Sequence, residues 1–194
     1  MDGAITGDDG VPRCAWAYSH PELLPYHDDE WGRPLHGDQP LFEKLCLEGF
    51  QSGLAWITIL RKRAAFREAF AGFDIDAVAS FGSADVARLM ADERIIRNRA
   101  KITATLRNSA AAQLLVTGSP GALDALIWSF APAARTVAPS SYAAVPAFVP
   151  ESAAASAALK KLGFSFVGPT TLYALMQYAG IVNDHAAGCQ HAVG

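Results

Sequence analysis

Two pairs of metal-ligating residue types stand towards opposite ends of this 194-residue chain: Cys14 with His27, and His185 with Cys189. Twelve residues separate the members of the first pair and three those of the second. Taken singly, a Cys or His of this kind is more often a core residue than a ligand. Together, two thiols and two imidazoles form a donor set that suits one tetrahedral Zn2+ ion. His185 and Cys189 would face the same way on a helical turn or a tight loop. A shared ion would force the N-terminal and C-terminal segments to meet. Four protein ligands leave no open coordination position, which points to a structural metal and away from a zinc hydrolase.

The third cysteine, Cys46, falls on an apolar helix face and reads as a small core hydrophobe. His20, His36 and His191 have no comparable partners. Three scattered thiols cannot make the disulfide framework of a small secreted domain, so reduced thiols in a cytoplasm are expected.

The rest of the chain reads as all-α. Alanine is abundant, at 37 residues, and favours helix wherever Gly and Pro do not interrupt. Asp38, with Pro40 just inside, opens a helix reaching about Gly49 and carrying Leu41, Phe42, Leu45 and Cys46 on its apolar face. Another spans about Leu54 to Phe70. Asp74 and Ser83 are candidate N-caps of two short helices. The spacing of Ile102, Leu106, Ala110 and Leu114 predicts a longer helix over about Ala100–Val116. Ser119-Pro120 starts a further one, Ser152 to Leu162 another that Gly163 closes, and Gly168-Pro169 the last, closed by Gly180.

The 22 residues between Lys161 and Asp184 carry no charge, a length that could span a bilayer. Glycines, Pro169 and several polar side chains punctuate them, so a buried turn and helix is the expectation, with no membrane partner. A stretch of about Ala131–Pro150 with four prolines reads as a loop. Residues 1–12 are acidic and Gly-rich, without the marks of a signal peptide, and are expected to fray. Residues 13–194 are expected to form a single domain and act as a monomer.

The net charge of −3 excludes a uniformly basic nucleic-acid binder but conceals a gradient. Residues 1–60 carry 3 basic and 10 acidic side chains, residues 61–107 carry 10 and 6, and residues 108–194 carry 3 of each. The basic middle holds Arg61, Lys62, Arg63 and Arg67, then Arg94, Arg97, Arg99, Lys101 and Arg107. One such cluster is ordinarily a solvated helix face. Two on consecutive helices, one at a tight turn, could grip phosphates.

The acidic first third also gathers aromatics: Trp16, Tyr26, Trp31 and Trp56, with Glu48 among them. Each alone fits a core or surface role. Together they have the ingredients of a pocket for a flat, electron-poor ring, since aromatic faces attract cations and a carboxylate accepts from an exocyclic amine.

The blocks Cys14–Gly32, Leu41–Arg63, Ile95–Ile102 and Leu159–Cys189 resemble 3-methyladenine DNA glycosylase I, a bacterial repair family of the helix-hairpin-helix superfamily. The likeness runs from about Arg13 to Cys189. The hairpin departs from it, reading RIIRNRAKI in place of a glycine-rich turn. The resemblance implies a helix-hairpin-helix lobe over about residues 55–150 and a second lobe built from both termini. It further implies a zinc clip at Cys14, His27, His185 and Cys189, a flipped base stacked between Tyr26 and Trp56 with Trp16 and Trp31 lining the pocket, and Glu48 bonding the base edge. DNA contacts are implied at Gln51, Gly53 and Leu54 and at the turn with Arg97, Arg99 and Lys101.

The implied activity is hydrolytic excision of 3-methyladenine from alkylated double-stranded DNA, with the free base as product ligand. Methylation at N3 makes adenine cationic, so it departs as a neutral base and little acid catalysis is required. No lysine stands out as a Schiff-base nucleophile, so strand cleavage is not expected. A non-catalytic, zinc-stapled DNA-binding module is the alternative reading of the same residues.

Overall fold

The computed structural model of the chain describes residues 3–193. Nine α-helices make up most of it: α1 (Leu23–Asp29), α2 (Asp38–Gln51), α3 (Trp56–Ala69), α4 (Ile75–Ala79), α5 (Ser83–Ala91), α6 (Arg99–Val116), α7 (Ala122–Trp128), α8 (Pro150–Lys161) and α9 (Pro169–Tyr178). Among the described residues no helix is long and apolar enough to cross a membrane.

The expected fraying of residues 1–12 is not what the structure shows for Gly3 onward. Strands β1 (Ala4–Thr6) and β2 (Pro12–Cys14) pair antiparallel, with Ala4 opposite Cys14. Gly10, at φ +76°, makes the turn, and Arg13 crosses to Asp9 at 2.8 Å. Short hairpins carry weak sequence signals because their backbone bonds, not their side chains, supply the order. Met1 and Asp2 lie outside the described residues.

Helix α2 is the hub. Every residue from Leu41 to Phe50 except Glu43 is buried, as expected for a helix enclosed on all sides. Phe42 and Phe50 join Phe66, Phe70 and Phe73 in the centre of the core, with Phe70 and Phe73 stacked at 5.4 Å. Pro40 lies inside the first turn as expected, but Gly37 is the N-cap, and Asp38 reaches across to the start of α7. There its carboxylate accepts from the N–H groups of Gly121, Leu123 and Asp124 at 2.6–3.0 Å. At the other end of α2, the Lys101 ammonium donates to the carbonyls of Phe50 and Ser52 at 2.8 and 2.6 Å. A cation there complements the helix dipole and satisfies end carbonyls.

Helix α6 spans nearly the expected residues but turns a different face inward. Ile102 is fully buried, whereas Ala110 and Leu114 are exposed, Leu114 to 81%. A strict spacing of four advances about 400° per step on a helix of 3.6 residues per turn, so a stripe defined that way rotates out of the core. The buried face runs instead through Thr105, Asn108, Ser109 and Ala112. Asn108 uses it to clamp the turn between α8 and α9, accepting from Ser165 N at 2.8 Å and donating to Ser165 O at 3.0 Å.

That turn and α9 account for the uncharged run. Gly163 (φ +96°) ends α8, Pro169 sits at the first position of α9, and Gly180 (φ +68°) ends it. Leu172, Leu175 and Met176 are fully buried.

Candidate active site

Helices α1, α2, α3 and α9 surround a cavity of about 370 Å3, within the range of small-molecule sites. Its walls include all five residues singled out from the sequence: Trp16, Tyr26, Trp31, Glu48 and Trp56. A second cavity of about 470 Å3 adjoins it, sharing Glu48, Gln51, Tyr142, Ala174 and Gln177 and extending along Ser52, Gly53 and Leu54. Glu48 therefore stands at the junction of an aromatic recess and a larger groove. Gln51 lines both spaces, and Gly53 (φ +81°) and Leu54 form the loop that borders the groove.

The aromatic rings do not form the expected sandwich. Tyr26 and Trp56 have centroids 5.5 Å apart and planes inclined by 38°. Admitting a ring between them needs roughly two van der Waals contacts of about 3.5 Å each. Tyr26 is covered by its neighbours and also stacks on Tyr178 at 5.9 Å. Trp16 packs edge-on against Trp31 at 5.2 Å. Trp16 and Trp56 remain half-buried and supply the open aromatic surface.

Behind Trp56 lies a residue that the aromatic pattern did not reveal. Lys44, one turn before Glu48 on α2, is 4% exposed. Its ammonium sits 2.8 Å from Glu48 Oε1, donates to the Tyr26 hydroxyl at 3.3 Å, and lies 3.4 Å from the Trp56 ring centroid and 3.8 Å from that of Tyr178. Burial pushes its pKa down to about 8, against the pull of Glu48. The i, i+4 spacing of Lys44 and Glu48 was the available signal; on a helix otherwise buried all round, such a pair has to be internal. Gln177, at the end of α9, completes the walls, and Tyr178 beside it backs the Lys44 ammonium; both were equally unmarked by any motif.

The four Cys and His residues converge. All are buried, and one donor atom of each lies within 4.8 Å of the others, so the group could hold a metal ion. Cys189 Sγ is 3.4 Å from His27 Nε2 and 3.5 Å from His185 Nδ1, and Cys14 Sγ is 3.6 Å from His185 Nδ1. His27 is oriented from behind by Asp28, whose Oδ1 lies 2.8 Å from Nδ1, and Asp28 is held in turn by Arg13. This carboxylate–histidine arrangement is typical of metal-ligating imidazoles. Gly32 (φ +79°) must be glycine, because a Cβ there would lie 2.7 Å from His185 Nε2. The cluster and the aromatic recess share a wall, since Trp31 meets His185 edge-on at 4.6 Å.

Of the basic candidates at the turn between α5 and α6, Arg97 and Arg99 are exposed, Arg97 within 3.2 Å of Glu93. Lys101 corrects the expectation of a phosphate contact: it is buried, and its ammonium is taken up by the α2 carbonyls. Its position, three residues past Asn98, the N-cap of α6, fastens the basic turn beside the Gln51–Leu54 loop. Asn98, not a basic residue, supplies the local order there by accepting from Lys101 N at 3.1 Å.

Comparison with known proteins places this architecture. The family profile of methyladenine glycosylases matches residues 16–192. The DNA-3-methyladenine glycosylase 1 of Escherichia coli is 44% identical over 181 residues, covering 92% of this chain and 96% of the relative. That of Haemophilus influenzae is 43% identical over 180 residues, covering 91% and 96%. A crystal structure of 3-methyladenine DNA glycosylase I superposes with a TM-score of 0.87 at 41% identity, covering 92% of this chain and 98% of the other. The Staphylococcus aureus enzyme, studied for its recognition of 3-methyladenine, gives 0.86 at 30% identity, with 94% and 97% covered. The chain belongs to the methyladenine glycosylase family.

Proposed function

We propose that this chain excises 3-methyladenine from alkylated double-stranded DNA by hydrolysis, leaving an abasic site. The observation that carries this reading is the buried Glu48 carboxylate at the junction of the aromatic recess and the larger groove. A bacterial relative named DNA-3-methyladenine glycosylase 1 is 44% identical, and a variant of 3-methyladenine DNA glycosylase I has been solved in complex with 3-methyladenine.

The groove along Gln51, Gly53 and Leu54 takes the DNA, and the lesion swings into the recess. Flipping costs a few kcal/mol and least for a damaged base. The base stacks on the open face of Trp56, with Trp16 beside it and Tyr26 and Trp31 as supporting walls. Glu48 accepts from the base's exocyclic amine and lies close to the positive charge. Departure of a cationic base as a neutral molecule needs no general acid. Lys44 lines neither cavity, so no amine stands ready to attack the sugar, and the reaction ends without strand cleavage.

The turn of α5 and α6 serves as the phosphate-holding hairpin of a helix-hairpin-helix unit, through Arg97 and Arg99. Exposed ion pairs such as Arg97–Glu93 contribute little, about 0–1 kcal/mol, and give way to phosphate at small cost.

The Cys14, His27, His185 and Cys189 cluster fits Zn2+. Ligands at about 2.3 Å (S) and 2.0–2.1 Å (N) from a tetrahedral ion lie about 3.6 Å apart, close to the 3.4–3.6 Å separations found here. When bound, the ion would cross-link the N-terminal and C-terminal segments and take no part in the chemistry. The protein works as a monomer in a bacterial cytoplasm.

The test is a glycosylase assay on DNA carrying several alkylated bases. Release of 3-methyladenine with an alkali-labile but unbroken strand is expected. DNA binding without base release would show a non-catalytic module instead.

A further inference from the structure

Lys44 and Glu48 are the two buried charged residues of α2, and they are paired. The lysine is held on three sides: by Glu48, by the Tyr26 hydroxyl, and by the faces of Trp56 and Tyr178. It borders a small recess of about 80 Å3 on the far side of Trp56 from the base cavity. Trp56 thus lies between the ammonium and the space a base would fill. A lone carboxylate there would be the obvious partner for a cationic purine, and this protein has placed a cation against it.

Resting on the glycosylase reading above, we propose that Lys44 is a positioning and specificity-determining residue of the base pocket. Its ammonium occupies one oxygen of Glu48 and cancels the carboxylate's charge, so that the pocket selects a methylated purine by shape and hydrogen bonds without holding its positive charge in place.

The reason lies in how charge moves during excision. Before cleavage the positive charge sits on the base; as the glycosidic bond breaks, the bonding electrons pass to the base, which becomes neutral, and the charge passes to the sugar. Only interactions stronger in the transition state than in the ground state accelerate the step. A pocket of net charge −1 around the base would stabilise the ground state most and slow the reaction. The neutral pair avoids that trap while still offering a carboxylate oxygen as an acceptor. Trp56, with the ammonium against its back face, is likewise a weaker cation trap than a bare indole.

The cluster isolates Lys44 as the group that changes charge near neutrality. Facing it are Tyr26 and Glu30 from the α1 side, Glu43 and Glu48 on α2, Arg63 and Arg67 on α3, and Tyr178 on α9. Burial lifts Tyr26 well above its ordinary range and Tyr178 to about 12. Burial opposes ionisation of Glu30, but its bidentate pair with Arg63 prevails and holds its carboxyl low, while the same pair raises Arg63. Lys44, displaced to about 8, loses its proton as the pH rises through that value, or through a lower one when a cationic base is bound.

The experiment is single-turnover excision of 3-methyladenine between pH 6 and 9.5 by the wild type, Lys44→Arg and Lys44→Met, since single-turnover rates report the enzyme–DNA complex. The wild-type rate is expected to fall about tenfold as pH rises, with a midpoint no higher than about 8. Lys44→Arg, a permanent cation, should lack that limb whatever its absolute rate, which removes titration of DNA and substrate as the cause. Lys44→Met should lack it too and should show a lower rate together with tighter binding of the lesion. If Lys44→Met does not fold, the wild type and Lys44→Arg suffice. An active wild type whose profile parallels that of Lys44→Arg would overturn the role of Lys44 alone. A wild type inactive at every pH would overturn the glycosylase reading, and this inference with it.

Discussion

Asp38 and Asp124 cap each other's helices. Asp38, in the first turn of α2, accepts three backbone N–H bonds at the start of α7. Asp124, in the first turn of α7, accepts from the N–H of Gly37 at 2.6 Å, the N-cap of α2, and from His36 at 3.1 Å. Asp38→Ala should therefore destabilise the fold by about 1–2 kcal/mol, a fall of a few degrees in Tm. The double variant with Asp124→Ala should cost less than the sum of the two, because both carboxylates hold one junction. Thermal unfolding of the four proteins in the cycle checks this, and strictly additive or absent effects would refute the mutual cap.

Glu48→Gln should reduce 3-methyladenine excision by about a hundredfold or more while the protein stays folded. The substitution strands the Lys44 ammonium, and breaking a buried pair usually costs about 3–5 kcal/mol. Lys44 can escape much of that cost by releasing its proton, since its pKa is already near 8. Losing Glu48 lowers that pKa further, so the proton is released at lower pH than in the wild type. The penalty in Tm should accordingly be larger at pH 6, where a proton must be given up, than at pH 9. Undiminished excision would remove Glu48 from the mechanism.

Purified protein should contain about one zinc per chain, measured by elemental analysis. Cys14→Ala should lose it and unfold at a markedly lower temperature, because metal affinity in such clusters is folding free energy. A wild type without metal, and a variant with unchanged Tm, would refute the clip.

Arg99→Ala and Lys101→Ala should separate two roles that look alike in the sequence. Loss of an exposed phosphate contact lowers the slope of log affinity against log salt by about 1, and that is expected for Arg99. Lys101→Ala leaves the carbonyls of Phe50 and Ser52 without their donor, so it should lower Tm with little change in the salt slope. A slope that changes only for Lys101 would reverse the assignment.

The helices were largely legible from the sequence because Gly and Pro mark their ends: Gly163, Gly168-Pro169 and Gly180 each stand where α8 or α9 stops or starts. The convergence of Cys14, His27, His185 and Cys189 into a group that could hold a metal ion was legible because four such side chains have few other reasons to pair off at such spacings. Less was visible where a residue's role depends on another element. Asp38 caps a helix that begins more than eighty positions later in the chain. Lys101 belongs to a basic run by sequence and to the α2 terminus by structure. The spacing between Tyr26 and Trp56 follows from how α1 packs on α3, and no local pattern encodes a distance of that kind. Lys44 escaped notice because a lysine on a helix ordinarily points outward.

The hydrogen bond from Gln190 N to Pro12 O ties the hairpin to the segment that follows Cys189, and with it the schedule of synthesis to the state of the pocket. Trp31, which walls the aromatic recess, rests on His185, a residue that a ribosome adds long after it. Until then the recess has every aromatic side chain it needs but not the support that fixes one of them. The order of translation thus makes base recognition a later acquisition than the aromatic side chains themselves, reserved for chains synthesised through Cys189.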